Sequence, residues 1–159
     1  MQAVVVAAGE GTRMRPLTAT RPKPTLPVAG TPLVERVLDA AAPYVDGFVL
    51  VVGYRDGVVR DLVGDEYRGL PVDYVEQDEQ LGTAHAVGRA ADVVDGRFLV
   101  LNGDVVVTDE LVSGLVAADG TAVATKPVPD PSNYGVVSHD DGRLTELVEK
   151  PADPPSNLA

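Results

Sequence analysis

The sequence contains no cysteine. Disulfides, thiolate zinc sites and a cysteine nucleophile are excluded, so any metal must be held by oxygen or by the two histidines. No apolar run approaches the ~18 residues that a membrane span requires, and the N-terminus lacks the charged-then-apolar layout of a signal peptide. This points to a cytoplasmic protein without a membrane partner. Positive charge is scarce. The net charge is −11 with a pI near 4.4, which argues against a phosphate-tracking nucleic-acid surface. Small molecules are the expected partners. Lysine is rarer still, three against ten arginines, while 16 Asp accompany 8 Glu. Such a surface reads either as adaptation to high salt or as an ordinary acidic protein from a GC-rich gene. Internal repeats and low-complexity tracts are also missing.

What is present suits one compact domain over residues 1–159, 45% hydrophobic and long enough to bury one sizeable core. Strand-length apolar runs at Ala3–Ala7, Phe48–Val52, Val72–Val75, Phe98–Leu101 and Ala122–Lys126 alternate with helical patterns. The clearest helix is Pro32–Ala42, with Thr31 as N-cap, Pro32 in the first turn and Val34, Val37, Leu38 and Ala41 on one stripe. Further helices are expected at Arg55–Val63, Thr83–Ala91 and Asp109–Ala118. Several strands are continuous Val/Leu runs of the kind buried on both faces. The alternation predicts an α/β fold, a mostly parallel sheet with helices on both faces. Ligands of such sheets gather beyond the carboxyl ends of the strands. The Pro/Asp-rich stretches Pro127–Asn133 and Pro151–Asn157 read as loops.

The scarce positive charge is concentrated at one place. Residues 1–34 carry Arg13, Arg15, Arg21 and Lys23 against Glu10, a net of +3, whereas the remaining 125 residues carry a net of −14. The basic residues surround a glycine turn, "AAGEGTRMR", directly after the first strand. Backbone N–H groups in such a turn approach an anion closely, and guanidinium and ammonium groups neutralise it. A surface turn with solvated arginines has the same composition. Neither a dinucleotide fingerprint nor a Walker loop is present: Met14 stands where the third glycine of G-x-G-x-x-G would be.

The longer stretch "AAGEGTRMRPLTATRPKPTLPVAGTPLVE" resembles, almost residue for residue, the signature of the sugar-1-phosphate nucleotidyltransferases, G-x-G-T-R-x-x-P-x-T-x-x-x-P-K-x-x-x-P followed by G-x-P-L. These enzymes join a nucleoside triphosphate to a sugar 1-phosphate and release pyrophosphate. The resemblance implies a Rossmann-like three-layer fold. It places the nucleotide at Ala8, Gly9, Gly11 and Thr12, Arg13 on the β- and γ-phosphates and Lys23 on the α-phosphate. The residue types suit this chemistry. A planar guanidinium grips a leaving pyrophosphate bidentately, while an ammonium acts as a compact charge at the reacting phosphorus. Pro22 and Pro24 restrict Lys23 on both sides.

Later motifs follow in the family's order. "EQDEQLGTAHAV" resembles the base-binding segment of the uridylyl- and thymidylyltransferases, with Gln77 pairing to a pyrimidine edge and Gly82 and Thr83 presenting backbone. On the residues alone, Thr83 is a helix N-cap and His85 an ordinary helical residue. "FLVLNGDVVV" carries two readings. Asn-Gly between apolar runs is a strong hairpin signal, whereas the resemblance makes Asp104 the ligand of Mg²⁺, a hard ion suited to oxygen and phosphate; the metal reading is taken. "NYGVV" and "VEKP" match sugar-phosphate segments, implicating Gly135, Glu149 and Lys150; a turn glycine and an exposed Glu-Lys pair are the plain readings.

By the resemblance, the family's catalytic domain continues past the position of Ala159, through further strands and a second metal-binding Asp. The domain is thus expected to be C-terminally incomplete, with an unfinished sheet edge and a homo-oligomer left open. The expected activity is transfer from UTP or dTTP to glucose or N-acetylglucosamine 1-phosphate. The alternatives are a mannose-1-phosphate guanylyltransferase, disfavoured by Gln77 and its context, and a non-catalytic module that binds nucleotide or sugar phosphate.

Overall fold

A computed structural model describes all residues, Met1–Ala159. Two compact units are present, Met1–Ala117 and Ala118–Ala159.

The first unit contains β1 (Ala3–Val6), β2 (Pro27–Val28), β3 (Thr31–Pro32), α1 (Leu33–Ala41), β4 (Phe48–Val52), α2 (Asp56–Val63), β5 (Glu66–Tyr67), β6 (Leu70–Glu76), α3 (Thr83–Arg89), β7 (Leu99–Asn102) and α4 (Asp109–Ala117). The main sheet has the order β5-β6-β4-β1-β7. Its four long strands are parallel, with Val4 beside Val49 and Val100, and β5 is an antiparallel edge on β6. Both faces are covered, which explains why β4 is apolar throughout and wholly buried. On one face Ala3, Val5, Phe48, Leu50 and Leu101 pack with Val34, Val37 and Leu38 of α1, Val59 of α2 and Val112 of α4. On the other, Val4, Val49 and Val51 pack with Ala86 of α3 and with Ala90. This is the three-layer α/β arrangement expected from the alternation of apolar runs.

One local expectation is corrected, and one alternative reading is ruled out. Thr31 does not cap α1. Ala29 and Gly30, both at positive φ, close a tight turn between β2 and β3, and Thr31 is used in that ladder opposite Val28, leaving Pro32 at the cap position with no side-chain cap. The expected apolar stripe of α1 is buried as read. The Asn102-Gly103 hairpin is also absent. β7 pairs in parallel with β1, the Gly103 N–H extends that ladder to the Val6 carbonyl at 2.8 Å, and α4 follows rather than a return strand.

The second unit holds β8 (Gly135–Asp140) and β9 (Arg143–Glu149), an antiparallel pair turned at Asp141 and Gly142, both at positive φ. The strand expected at Ala122–Lys126 does not form. Its residues are exposed, Val123 by 58%, so no buried face repays ordering them as a strand. The chain makes a single isolated bridge at its end, Pro127 with Leu158, flanked by reciprocal Lys126 and Ala159 backbone bonds and by the Val128 N–H on the Asn157 carbonyl.

Candidate active site

The chain runs from β1 outward to β4 and β6, then returns past β1 to β7, so the strand order reverses between β1 and β7. Loops leaving the carboxyl ends of two such strands diverge and open a crevice. The loop after β1 is the glycine turn, and the loop after β7 carries Asp104.

Local sterics shape the glycine turn. Gly11 lies at φ 61, and a Cβ there would stand 3.0 Å from both Lys23 Cβ and Thr18 Cγ2. Glycine is therefore required for the loop to lie against Lys23. Buried Thr18 donates its hydroxyl to the Gly11 carbonyl at 2.8 Å. The N–H groups of Gly9, Glu10 and Gly11 donate to no acceptor within the chain, and the space beside Gly9 is open. Three successive backbone donors are thereby left unused, as an anion-binding turn requires. Arg13 is exposed on the short turn Thr12–Met14, and the only ion pair of the loop is a 3.8 Å contact between Arg15 and Glu10.

Lys23 projects from a single helical turn, Lys23–Thr25, whose Pro24 and Thr25 are buried and whose Thr25 hydroxyl donates to the Pro22 carbonyl at 2.8 Å. Its ammonium donates to Asp104 Oδ2 at 2.7 Å. Asp104 is brought there by Gly103, where a Cβ would lie 3.2 Å from the Val6 carbonyl oxygen. The structure thus joins the glycine turn, Lys23 and Asp104.

Beyond β1, β4 and β6 opens a cleft of about 350 Å³ lined by Glu10, Gly53, Tyr54, Gln77 and Gln80 among others. Gly53 forms its floor. A Cβ there would lie 2.9 Å from the Gln77 carbonyl oxygen and 3.2 Å from that of Ala8. Gln77 is 6% exposed, and its Nε2 faces the Gly82 carbonyl at 3.2 Å and His85 Nδ1 at 3.0 Å. Gln80 donates to the Ala8 carbonyl at 2.6 Å, tying the loop after β6 to the glycine turn. Thr83 is not the cap of α3. Gly82 holds that position, at φ 101, and no side chain caps the helix. Sequence reasoning misses Gly53, Gln80 and the part played by His85. Of these only Gly53 carries a signal, a glycine directly after a wholly apolar strand.

The sequence model of the nucleotidyl transferase family matches residues 2–159. The chain belongs to the nucleotidyl transferase family. Among relatives, the bifunctional protein GlmU of Methanocaldococcus jannaschii is 41% identical over 99% of this chain and 38% of its own length. The UTP–glucose-1-phosphate uridylyltransferase AglF of Haloferax volcanii is 40% identical over 99% of this chain and 68% of its own length. The crystal structure of a UDP-glucose pyrophosphorylase complexed with UDP-glucose superimposes with a TM-score of 0.86 at 25% identity, covering 99% of this chain and 72% of that one. The chain therefore spans well under half of the GlmU relative and about two thirds of the other two proteins.

Within this family member, the remaining expected site residues lie in the second unit. Gly135 pairs with Glu149, whose Oε2 would stand 3.3 Å from a Cβ on Gly135. Lys150, at φ 45, donates its N–H to the Tyr134 carbonyl at 2.9 Å, and its ammonium lies 3.4 Å from Glu149 Oε1, both side chains well exposed. The three residues meet at the open end of the β8–β9 hairpin.

No group of three or more acidic or histidine side chains is placed so that it could hold a metal ion by itself. Asp104 supplies one half-exposed carboxylate, already beside a cation. That donor set fits Mg²⁺, which is bound by one or two carboxylates, substrate phosphates and water rather than by an all-protein cage.

Proposed function

We propose that the chain is the nucleotide-binding and catalytic part of an enzyme that transfers a nucleotidyl group from UTP or dTTP to a hexose 1-phosphate, glucose or N-acetylglucosamine, forming a nucleotide sugar and pyrophosphate. The observation that carries this reading is the meeting of the glycine turn, through Gly11, with Lys23 and Asp104 where the strand order reverses. The names of the relatives AglF and UDP-glucose pyrophosphorylase agree with it.

A sugar phosphate oxygen attacks the α-phosphorus, the bond to the β-phosphate breaks, and pyrophosphate departs. The nucleophile is already an anion and needs no general base. The protein's task is to hold two anions together and neutralise them. Ala8, Gly9, Gly11 and Thr12 present backbone to the triphosphate, Arg13 grips the leaving phosphates, and Lys23 meets the α-phosphate. Asp104 orients Lys23, and with substrate phosphates it would hold Mg²⁺, which supplies charge neutralisation at the triphosphate. Gln77, Gly82 and Thr83 face the base. Gly135, Glu149 and Lys150 bind the sugar phosphate. The cleft also carries Asp56, Glu76 and Asp78, so it suits a base and ribose better than phosphate. A soluble substrate pair and the lack of any helix long and apolar enough to cross a membrane agree with work in the cytoplasm.

A pyrophosphate-release screen of UTP, dTTP, GTP and ATP against glucose, N-acetylglucosamine and mannose 1-phosphates tests the proposal. Turnover with a pyrimidine triphosphate and a gluco-configured sugar is expected. Turnover with GTP and mannose 1-phosphate would assign the guanylyltransferase reading. Nucleotide binding without release in any pair, by this chain and by a C-terminally extended form alike, would make it a binding module.

A further inference from the structure

A glutamine amide presents an acceptor at one end and donors at the other, and a half-turn of the amide reverses the pattern it offers to a ligand. The two ends of Gln77 are not free to exchange. One end lies 3.2 Å from the Gly82 carbonyl oxygen, which can only accept, so that end must be the NH₂ group. The same nitrogen lies 3.0 Å from His85 Nδ1. Both hydrogens of the NH₂ are thereby used, and Nδ1 must offer its lone pair, which places the ring proton of neutral His85 on Nε2. The Gln77 oxygen takes no hydrogen bond within the chain and is not sealed from solvent. It is the end left for a ligand.

The supports of this arrangement are hydrogen-bonded and packed. The Gln77 N–H donates to the Val52 carbonyl at 2.8 Å, and the missing Cβ of Gly53 lets the Gln77 backbone settle against the sheet. Half-buried His85 precedes Ala86, which is buried with Val4, Val49 and Val51. Rotating the amide would set its oxygen against two lone pairs, those of the Gly82 carbonyl and of Nδ1, and lose both bonds.

We propose that His85 is a positioning residue that, together with the Gly82 carbonyl, locks the Gln77 amide with its oxygen toward the nucleobase, so that the site accepts pyrimidines bearing an N3–H, uracil and thymine, and rejects cytosine. This rests on Gln77 as the base-facing residue of the proposed function. The oxygen accepts from the N3–H of uracil. Against the bare N3 of cytosine it is repulsive, and an unlocked amide would turn to offer NH₂ instead. The lock therefore converts a residue able to read either pyrimidine into one that reads a single kind.

Calorimetric affinities for UTP and CTP at fixed Mg²⁺ test this in the unaltered protein and in Gln77→Ala, His85→Leu and His85→Asn. The unaltered protein should bind UTP roughly ten- to a hundredfold tighter than CTP, the cost of one misplaced hydrogen-bonding group. His85→Leu should lower that ratio by about tenfold, chiefly by strengthening CTP; loss of packing alone would weaken both nucleotides together. His85→Asn, whose carbonyl can accept from Gln77, should restore much of the preference. If Gln77→Ala abolishes the preference while His85→Leu keeps it, the role of His85 is overturned and the base-reading role of Gln77 stands. If the unaltered protein binds UTP and CTP equally, the reading of Gln77 itself falls. A direct check needs no variant. The chain has only two histidines, His85 and His139, and long-range ¹H–¹⁵N spectra of the unaltered protein should show His85 with its proton on Nε2. A proton on Nδ1 would overturn the lock.

Discussion

The Lys23 ammonium and the Asp104 carboxylate are 81 residues apart in the chain and 2.7 Å apart in space. They are 32% and 34% exposed, so water screens the pair and its contribution to stability is at most about 1 kcal/mol. An ion pair that adds so little to folding, held where two strands part, is better explained by what it does to a ligand.

The first expectation concerns Asp104. Asp104→Asn removes the charge that orients Lys23 and the carboxylate offered to Mg²⁺, while leaving the backbone bond from Gly103 to Val6 in place. UTP affinity of the unaltered protein should fall when Mg²⁺ is chelated. Affinity of the Asp104→Asn variant should be low and respond little to chelation. An unchanged magnesium dependence in the variant would remove Asp104 from the metal site.

Gly53 gives a steric test. A methyl group 2.9 Å from the Gln77 carbonyl oxygen can be accommodated only by moving backbone, at a cost of about 1–3 kcal/mol. Gly53→Ala should lower the denaturation midpoint and widen the gap between Ala8 and Gln77, weakening UTP binding. A variant with parental stability and affinity would show that the floor of the cleft is soft.

The strands with continuous Val/Leu runs and the stripe of α1 are legible because each is a periodic, locally encoded signal. Thr31 and Thr83 look like caps because propensity says nothing of competing uses: Thr31 is drawn into a ladder by the Ala29-Gly30 turn, and Gly82 occupies the cap of α3. Asn102-Gly103 carries a hairpin signal that the sheet overrides by pairing β7 with β1. Ala122–Lys126 has the composition of a strand without a layer to bury it. Of the candidate site, Lys23 and Asp104 are visible singly through motifs. Their contact, the Gln80 bridge and the His85 bond to Gln77 are long-range or side-chain facts that no local pattern encodes.

The lysine-poor acidic surface leaves two readings that salt separates. Far-UV circular dichroism from low salt to molar KCl should show structure increasing with salt if the surface is adapted to brine, through screening of its net charge of −11. Full structure without added salt would leave only the ordinary acidic protein.

Tyr67 gives a pH dependence. Burial, and then its 2.7 Å hydrogen bond to Asp39 and that carboxylate's charge, push its phenol from 10.0 to about 12. The folded value lies above the unfolded one, so the contribution is fully present below pH 10 and is lost as pH rises through 12. Between those values the urea midpoint of the unaltered protein should fall more steeply than that of Tyr67→Phe. Parallel slopes would contradict the shift.

The most direct test of the site is pyrophosphate release from UTP and glucose 1-phosphate, at saturating substrate and Mg²⁺, by the enzyme in its full length and by its Lys23→Ala variant. Charge at the α-phosphate acts mainly in the transition state, so turnover should fall by about a hundredfold or more while the thermal midpoint moves little. Near-parental turnover in the Lys23→Ala variant would contradict the placement of the reacting phosphate between Lys23 and Asp104.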